Sequence, residues 1–178
     1  MKYCAARCIP VLIQQNIDGS NFFNRSWAEF KVGFNDSNGN YWIGNDRLSL
    51  LTLSGVSGRY KLRFELQARD NSSWYWAEYS SFTVLGESRN YMLQVSGYSG
   101  NAGYDALSYH NGMMFTTYDR DNDPYTSSSY NGNCAVLNGG GFWYNKCSWC
   151  SVNVVRGRRR DFKWYTTLLR TSRMWLTC

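Results

Sequence analysis

Histidine and proline are nearly absent from this chain, with one His and two Pro in 178 residues. With 16 Gly against two Pro, its turns must be built from Gly, Asn, Asp and Ser, which tolerate positive φ. Long apolar runs are also missing. No stretch approaches the roughly 20 residues of a membrane-spanning helix. The opening "MKYCAARCIPVLIQQ" is broken by Cys, Arg and Pro, so it lacks the ~7–15 continuous apolar residues of a signal peptide. No P-loop, G-x-S-x-G, H-E-x-x-H or G-x-G-x-x-G occurs, and a catalytic triad would have to use His110, in "LSYHNGMMF". A lone His between Tyr and Asn reads as a structural hydrogen-bonding residue. The chain is not expected to be an enzyme.

What is abundant is aromatic: 8 Trp, 14 Tyr and 9 Phe. A chain so aromatic and so modestly charged folds. No internal repeat or linker divides it, so one domain is expected. The net charge of +6 is spread out except at Arg156, Arg158, Arg159 and Arg160. That run reads as a solvated loop. Without RRM, KH or zinc-finger patterns, no nucleic-acid partner is expected.

Six cysteines raise the question of metal or disulfide. Cys147 and Cys150 form a CxxC with no second pair, and His110 is the single imidazole, so a zinc site would need an unusual ligand set. Disulfides and an oxidising compartment fit better. Cys134 and Cys147 bracket "AVLNGGGFWYNK"; bridging a loop of that size contributes about 3 kcal/mol. Connectivity cannot be read from sequence, and two buried free thiols remain an alternative. Sequons stand at Asn24-Arg-Ser26, Asn35-Asp-Ser37 and Asn71-Ser-Ser73.

Periodicity gives the elements. Phe23, Trp27, Phe30 and Phe34 recur at helical spacing, with Asn24 placed to cap them. "NDRLSLLTL" reads as a short helix. Tyr60, Leu62, Phe64 and Leu66 alternate with Lys61, Arg63, Glu65 and Gln67, which is a half-buried strand. "SSWYWAEYSSFTVLG" and "YMLQVSGYSG" are two more strands, the first joined to its predecessor by a turn at residues 70–73. "FKWYTTLL" and "SRMWLTC" are late strands. The fold class is α+β: a central antiparallel sheet with short helices, then a loop-rich lobe.

"YDRDNDPYTSSSYNGNC" places Asp119, Asp121 and Asp123 at alternate positions. Carboxylates this close repel unless a cation neutralises them, and hard oxygen ligands suit Ca²⁺. The EF-hand template fails, since Pro124 and Tyr130 stand where Gly and Glu are required. Spacing alone leaves both a metal loop and a solvated turn open.

Several stretches, in order, resemble the fibrinogen C-terminal-like (fibrinogen-related) domain of the ficolin, tachylectin and invertebrate-lectin type. They are "QQNIDGSNFFNRSWAEFKVGF", "YWIGNDRLSLLT", "YKLRFEL", "AEYSSFTV", "YMLQVSGYSGNAGYDALSYHNGMMFTTYDRDND", "GNCAVLNGGGFWYNKC" and "FKWYT". The resemblance implies an atypical segment at 1–10 and one domain at 11–178. That domain comprises a helix-and-sheet part (11–100), a calcium- and ligand-binding lobe (101–165) and a C-terminal strand (166–178). It implies Ca²⁺ on Asp121 and Asp123 with Tyr125 supplying a backbone carbonyl, Asp119 being outer-shell or structural. It also implies a Cys134–Cys147 disulfide, and a pocket for acetylated sugars made by Asn138, Tyr144, Lys146, Cys147 and Ser148. A cis peptide is expected at Lys146–Cys147, with Phe142, Trp143 and Tyr144 as aromatic walls or core.

The implied function is a secreted, calcium-dependent lectin for acetylated glycans or glycoproteins, of innate-immune type. The alternatives are an adhesion or signalling module that binds a cell-surface protein through the same lobe, and a domain without a working pocket. The chain departs from the family's lectin members at Asn138, at Ser148 and in an insert before Cys134. Cys4 and Cys8 can pair with each other, as can Cys150 and Cys178. Oligomers are expected through an unpaired cysteine or an N-terminal region that this chain lacks.

Overall fold

A computed structural model describes residues 9–53, 60–157 and 161–178. Cys4 and Cys8, and Arg158 to Arg160 of the basic run, lie outside them. The strands are β1 (Val11–Asn16), β2 (Phe34–Asn35), β3 (Tyr41–Trp42), β4 (Lys61–Ala68), β5 (Trp74–Val84), β6 (Leu93–Gly100), β7 (Cys150–Ser151), β8 (Lys163–Trp164) and β9 (Thr167–Thr177). The antiparallel sheet runs β2-β3-β1-β9-β4-β5-β6, and the short β7–β8 ladder joins it through β9. Helices α1 (Trp27–Val32), α2 (Asn45–Leu53) and α3 (Cys134–Asn138) complete the α+β architecture.

The alternation in β4 places Leu62, Phe64, Leu66 and Ala68 in the core. Its other face carries a cross-strand ladder, with Arg63 over the Trp76 ring at 4.7 Å and Arg173 over Trp74 at 5.2 Å. The two late strand segments differ from expectation: 167–177 is one continuous strand, β9, set between β1 and β4. Its partners reach the full length of the domain, from Val11↔Leu176 to Ala68↔Leu169.

α1 is shorter than the aromatic spacing suggests, and Ser26 caps it in place of Asn24. The Ser26 hydroxyl accepts the Glu29 N–H at 3.3 Å while the Glu29 carboxylate accepts the Ser26 N–H at 2.9 Å. This reciprocal capping box satisfies two otherwise orphaned donors. Phe23 falls before the helix in a 3-10 turn, and Phe34 falls after it in β2. Gly33 ends the helix at φ +94°; a Cβ there would meet the Ile43 carbonyl oxygen at 2.6 Å.

The lobe is held to the sheet by rings. Phe115 meets Phe30 at 5.0 Å, Trp143 at 5.1 Å and Trp42 at 5.9 Å between centroids. A buried polar seam adds directionality. Gln14 Nε2 on β1 donates to Asn153 Oδ1 at 3.0 Å and Ser172 Oγ at 3.1 Å, and Asn16 Nδ2 donates to the Val152 carbonyl at 3.0 Å.

Phe30 is fully buried at the centre of this ring cluster. Phe30→Ala is expected to cost about 3–5 kcal/mol. Leu50→Ala, on the exposed side of α2, should stay within about 0.5 kcal/mol of wild type. Urea midpoints of the two variants check this contrast.

Candidate functional site

The acidic loop divides its three aspartates. Asp119 is structural: its Oδ1 accepts the Trp27 N–H at 2.9 Å and the Thr117 hydroxyl at 2.7 Å, anchoring the loop to the first turn of α1. Asp121 is exposed, and its Oδ1 accepts the Asp123 N–H at 3.2 Å. Asp123 turns inward. It accepts the Tyr125 N–H at 3.0 Å and the Cys134 N–H at 3.0 Å. Burial, reinforced by the neighbouring Asp121 charge, pushes the Asp123 carboxyl up to about 7.

Among the described residues no Lys or Arg forms an ion pair with Asp121 or Asp123. Nor do three or more acidic, His or Cys side chains gather there for a metal. The remaining oxygens are main-chain. Gly132 lies at φ +75°, and a Cβ on it would sit 2.9 Å from the Tyr125 carbonyl oxygen and 3.6 Å from that of Ser127. The insert therefore folds back on its own carbonyls.

The loop ends in a rigid post. Asn133 caps α3 by accepting the N–H groups of Ala135 at 2.7 Å and Val136 at 3.0 Å, and Cys134 is bonded to Cys147 with Cα atoms 5.3 Å apart. The expected disulfide is present. Gly140 follows α3 where any Cβ would overlap the Asn153 carbonyl oxygen, so only glycine fits. The expected pocket residues are mostly spent inward. Asn138 is buried and donates to the Cys134 carbonyl at 2.8 Å. Tyr144 is buried and donates to the Gly140 carbonyl at 2.6 Å. The buried Ser148 hydroxyl bonds to the Cys150 carbonyl and to Ser151. Phe142 and Trp143 are core. Lys146 is exposed.

Two expectations are corrected. The Lys146–Cys147 bond is trans. A non-proline cis bond persists only where surrounding contacts force it, and here the Asn145 N–H closes the turn onto the Cys147 carbonyl at 3.0 Å without one. Cys150 does not pair with Cys178. Cys178 is disulfide-bonded, whereas Cys150 is a free, buried thiol on β7.

His110 is structural, as its setting suggests. Its Nδ1 donates to the Trp143 carbonyl at 2.7 Å, which leaves Nε2 to accept the Trp149 N–H at 3.2 Å. Complete burial lowers its pKa to about 4. This imidazole orients Trp149, which lies flat on Tyr109 at 4.3 Å between centroids. Tyr104 stacks on Tyr165 at 4.0 Å and reaches Trp149 edge-on at 5.5 Å. Trp149, Tyr104 and Tyr165 are 36–38% exposed. This four-ring surface beside the disulfide escaped sequence reasoning. Its members are scattered from Tyr104 to Tyr165, and no spacing rule links them.

Residues 8–168 match the family described as the C-terminal globular domain of fibrinogen beta and gamma chains. The chain belongs to this family. As a fibrinogen domain it is not an enzyme. Angiopoietin-related protein 1 of Mus musculus is 45% identical over 134 residues, spanning 75% of this chain and 25% of the relative. The fibrinogen alpha chain of Homo sapiens is 43% identical over 160 residues, spanning 82% and 17%. This fibrinogen domain thus spans a quarter or less of the length of these curated relatives. Among solved structures, the fibrinogen-like globe domain of human ANGPTL2 superposes with a TM-score of 0.80 at 34% identity, covering 94% of this chain and 79% of that one. A lamprey fibrin D-dimer complexed with the peptide Gly-His-Arg-Pro-amide superposes with a TM-score of 0.74 at 28% identity, covering 93% and 60%.

The buried imidazole makes stability depend on pH. His110 is neutral in both states above its unfolded value of 6.5, so its contribution is complete there. As pH falls from 6.5 toward 4, the unfolded chain takes up a proton that the fold refuses, and about 3 kcal/mol is lost. Metal-free Asp123 acts in the opposite sense, since a raised carboxyl pKa favours the fold as pH falls below 7. The measurement is therefore the stability difference between wild type and His110→Gln across this range. It should shrink by about that amount toward pH 4; a constant difference would show that the imidazole is not excluded from protonation.

Proposed function

We propose that this chain is an extracellular recognition module that binds a protein partner through its loop-rich lobe, with Ca²⁺ held by Asp121 and Asp123. The carrying observation is the ring surface beside the disulfide, in which Tyr104, Trp149 and Tyr165 are exposed and the half-buried Tyr109 stacks beneath Trp149. Tyr and Trp are the residues that dominate protein interfaces, and rings already stacked lose little freedom on binding. The relatives point the same way: the lamprey fragment carries a peptide ligand, and the angiopoietin-related proteins share the domain. The disulfides favour an oxidising compartment outside the cytosol. No helix among the described residues is long and apolar enough to cross a membrane.

The acetylated-glycan reading has weaker support. The Asn138 carboxamide N–H and the Tyr144 and Ser148 hydroxyls face inward and are hydrogen-bonded there. These donors are committed before any sugar arrives, and the Asn138 Oδ1, though without a partner among the described residues, is buried. The discriminating test is binding of the labelled chain to cultured cells. Binding should be abolished by mild surface proteolysis, unaffected by free N-acetylglucosamine, and weakened about 30-fold by Trp149→Ala, the cost of a ~2 kcal/mol hot spot. Competition by the free sugar would overturn the reading.

The case for calcium rests on the donor set. Two uncompensated carboxylates and the carbonyls facing Gly132 are hard oxygens of the kind Ca²⁺ takes. Asp121 and Asp123 would hold the ion with the Tyr125 carbonyl, and the ion would supply the missing positive charge. Asp121→Ala is the informative variant, because Asp123 also ties down two backbone N–H groups. At a hundredfold excess over the dissociation constant, Ca²⁺ should stabilise wild type by about 2.7 kcal/mol. Asp121→Ala should lose that gain while staying within about 1 kcal/mol of wild type in chelator, the cost of the single exposed hydrogen bond that Asp121 accepts from the Asp123 N–H. A wild-type melting temperature that ignores calcium would sink the site.

A further inference from the structure

We propose that Asn71, at the tip of the β4–β5 hairpin, is an N-glycan acceptor, an inference that rests on the extracellular reading. The chain carries three sequons, and their surroundings differ. Asn71, Ser72 and Ser73 are all exposed. The Asn71 Oδ1 accepts the Ser73 N–H at 2.9 Å, which brings the carboxamide and the hydroxyl residue together across a tight turn with Ser72 at φ +57°. Among the described residues neither the Asn71 Nδ2 nor the Ser73 Oγ makes a hydrogen bond, the local bonds using Asn71 N–H, Asn71 Oδ1 and Ser73 N–H instead. Asn71 also lines a cleft of about 410 Å³, bordered by Tyr75 and Thr166, with room for a first sugar beside it.

The other two sequons are engaged locally. The Ser26 hydroxyl is locked in the capping box of α1, donating to Glu29 at 2.8 Å and accepting from its N–H. The central Arg25 pairs with Glu29 at 2.9 Å. These contacts span only three or four residues, so they need no distant partner to form. Asn35 lies on β2, paired with Tyr41. Its sequon is centred on Asp36, a carboxylate that repels a pyrophosphate donor. That carboxylate is itself engaged, accepting the N–H groups of Asn38 and Asn40 at 2.9 Å.

The transfer is balanced without redox change. Asn71 Nδ2 forms a bond to the anomeric carbon of an oligosaccharide carried on a lipid pyrophosphate. The carbon–oxygen bond to pyrophosphate breaks, the pyrophosphate leaves with the electron pair, and one amide proton passes to a base of the transferase.

The test uses the full chain behind a cleavable secretory leader in animal cells. Each sequon is scored by mass spectrometry after enzymatic release in heavy-oxygen water, which converts every vacated Asn to labelled Asp. Leader-cleaved chains from cells and medium are both counted. Most should be glycosylated at Asn71, at higher occupancy than Asn24 or Asn35. Asn71→Gln and Ser73→Ala should lose this glycan, and Ser73→Thr should keep it. An unmodified Asn71 in leader-cleaved chains, or higher occupancy at Asn24 or Asn35, overturns the proposal. Because the leader supplies entry, this outcome is independent of whether the lobe binds a protein or of where the chain naturally resides.

Discussion

The lobe exists because one ring, Phe115, is set among rings that belong to other parts of the chain. Trp27 and Phe30 come from α1, Trp42 from β3 and Trp143 from the segment after α3. A stretch as rich in Gly, Asn and Ser as residues 101–157 cannot bury enough apolar surface to offset its own ordering entropy. It borrows a core from the helices and the sheet. The disulfide and the buried Gln14–Asn153–Ser172 contacts then fix the orientation in which that core is shared. The arrangement of the ring surface depends on this borrowed rigidity, since Trp149 is aimed by His110, and His110 is held by the backbone of Trp143.

Much of the sheet was legible. β4, β5 and β6 alternate or carry aromatic and β-branched residues between turn signals, and they form where that pattern predicts. β1 was not, for a physical reason. Its sequence "VLIQQN" puts Gln14 and Asn16 in the interior, where residues reached only through the tertiary fold satisfy them. No local pattern marks a polar residue as buried when its partners are that distant. The α1 cap was misplaced by two residues because aromatic spacing outweighed the Ser26–Glu29 signature.

The site was legible in its covalent part and obscure in its surfaces. The bridge between Cys134 and Cys147 followed from family resemblance, and the structure contains it. The separate duties of the three aspartates did not follow from spacing. Asp119 is claimed by an N–H from the distant helix α1, and Asp123 by the backbone N–H of Cys134, itself half of the disulfide. Polar residues assigned to a pocket proved to be internal braces, because a hydroxyl or carboxamide in sequence carries no sign of which way it faces. The rings that do face solvent lie on four separate segments.

The placement of β9 has a consequence for how the domain comes into being. Of the described strands, the last in sequence lies between the first, β1, and β4. While the polypeptide is still emerging from the ribosome, β4, β5 and β6 can associate as a local meander, yet the middle of the sheet stays vacant and β1 has no long neighbour. Closure waits for residues 167–177, and contacts of such long range make it slow and all-or-none. Until then the meander presents an open edge of the sort that invites mispairing with other chains. The half-buried charges of Lys61, Arg63 and Glu65 on β4 are placed where they discourage such encounters during that interval.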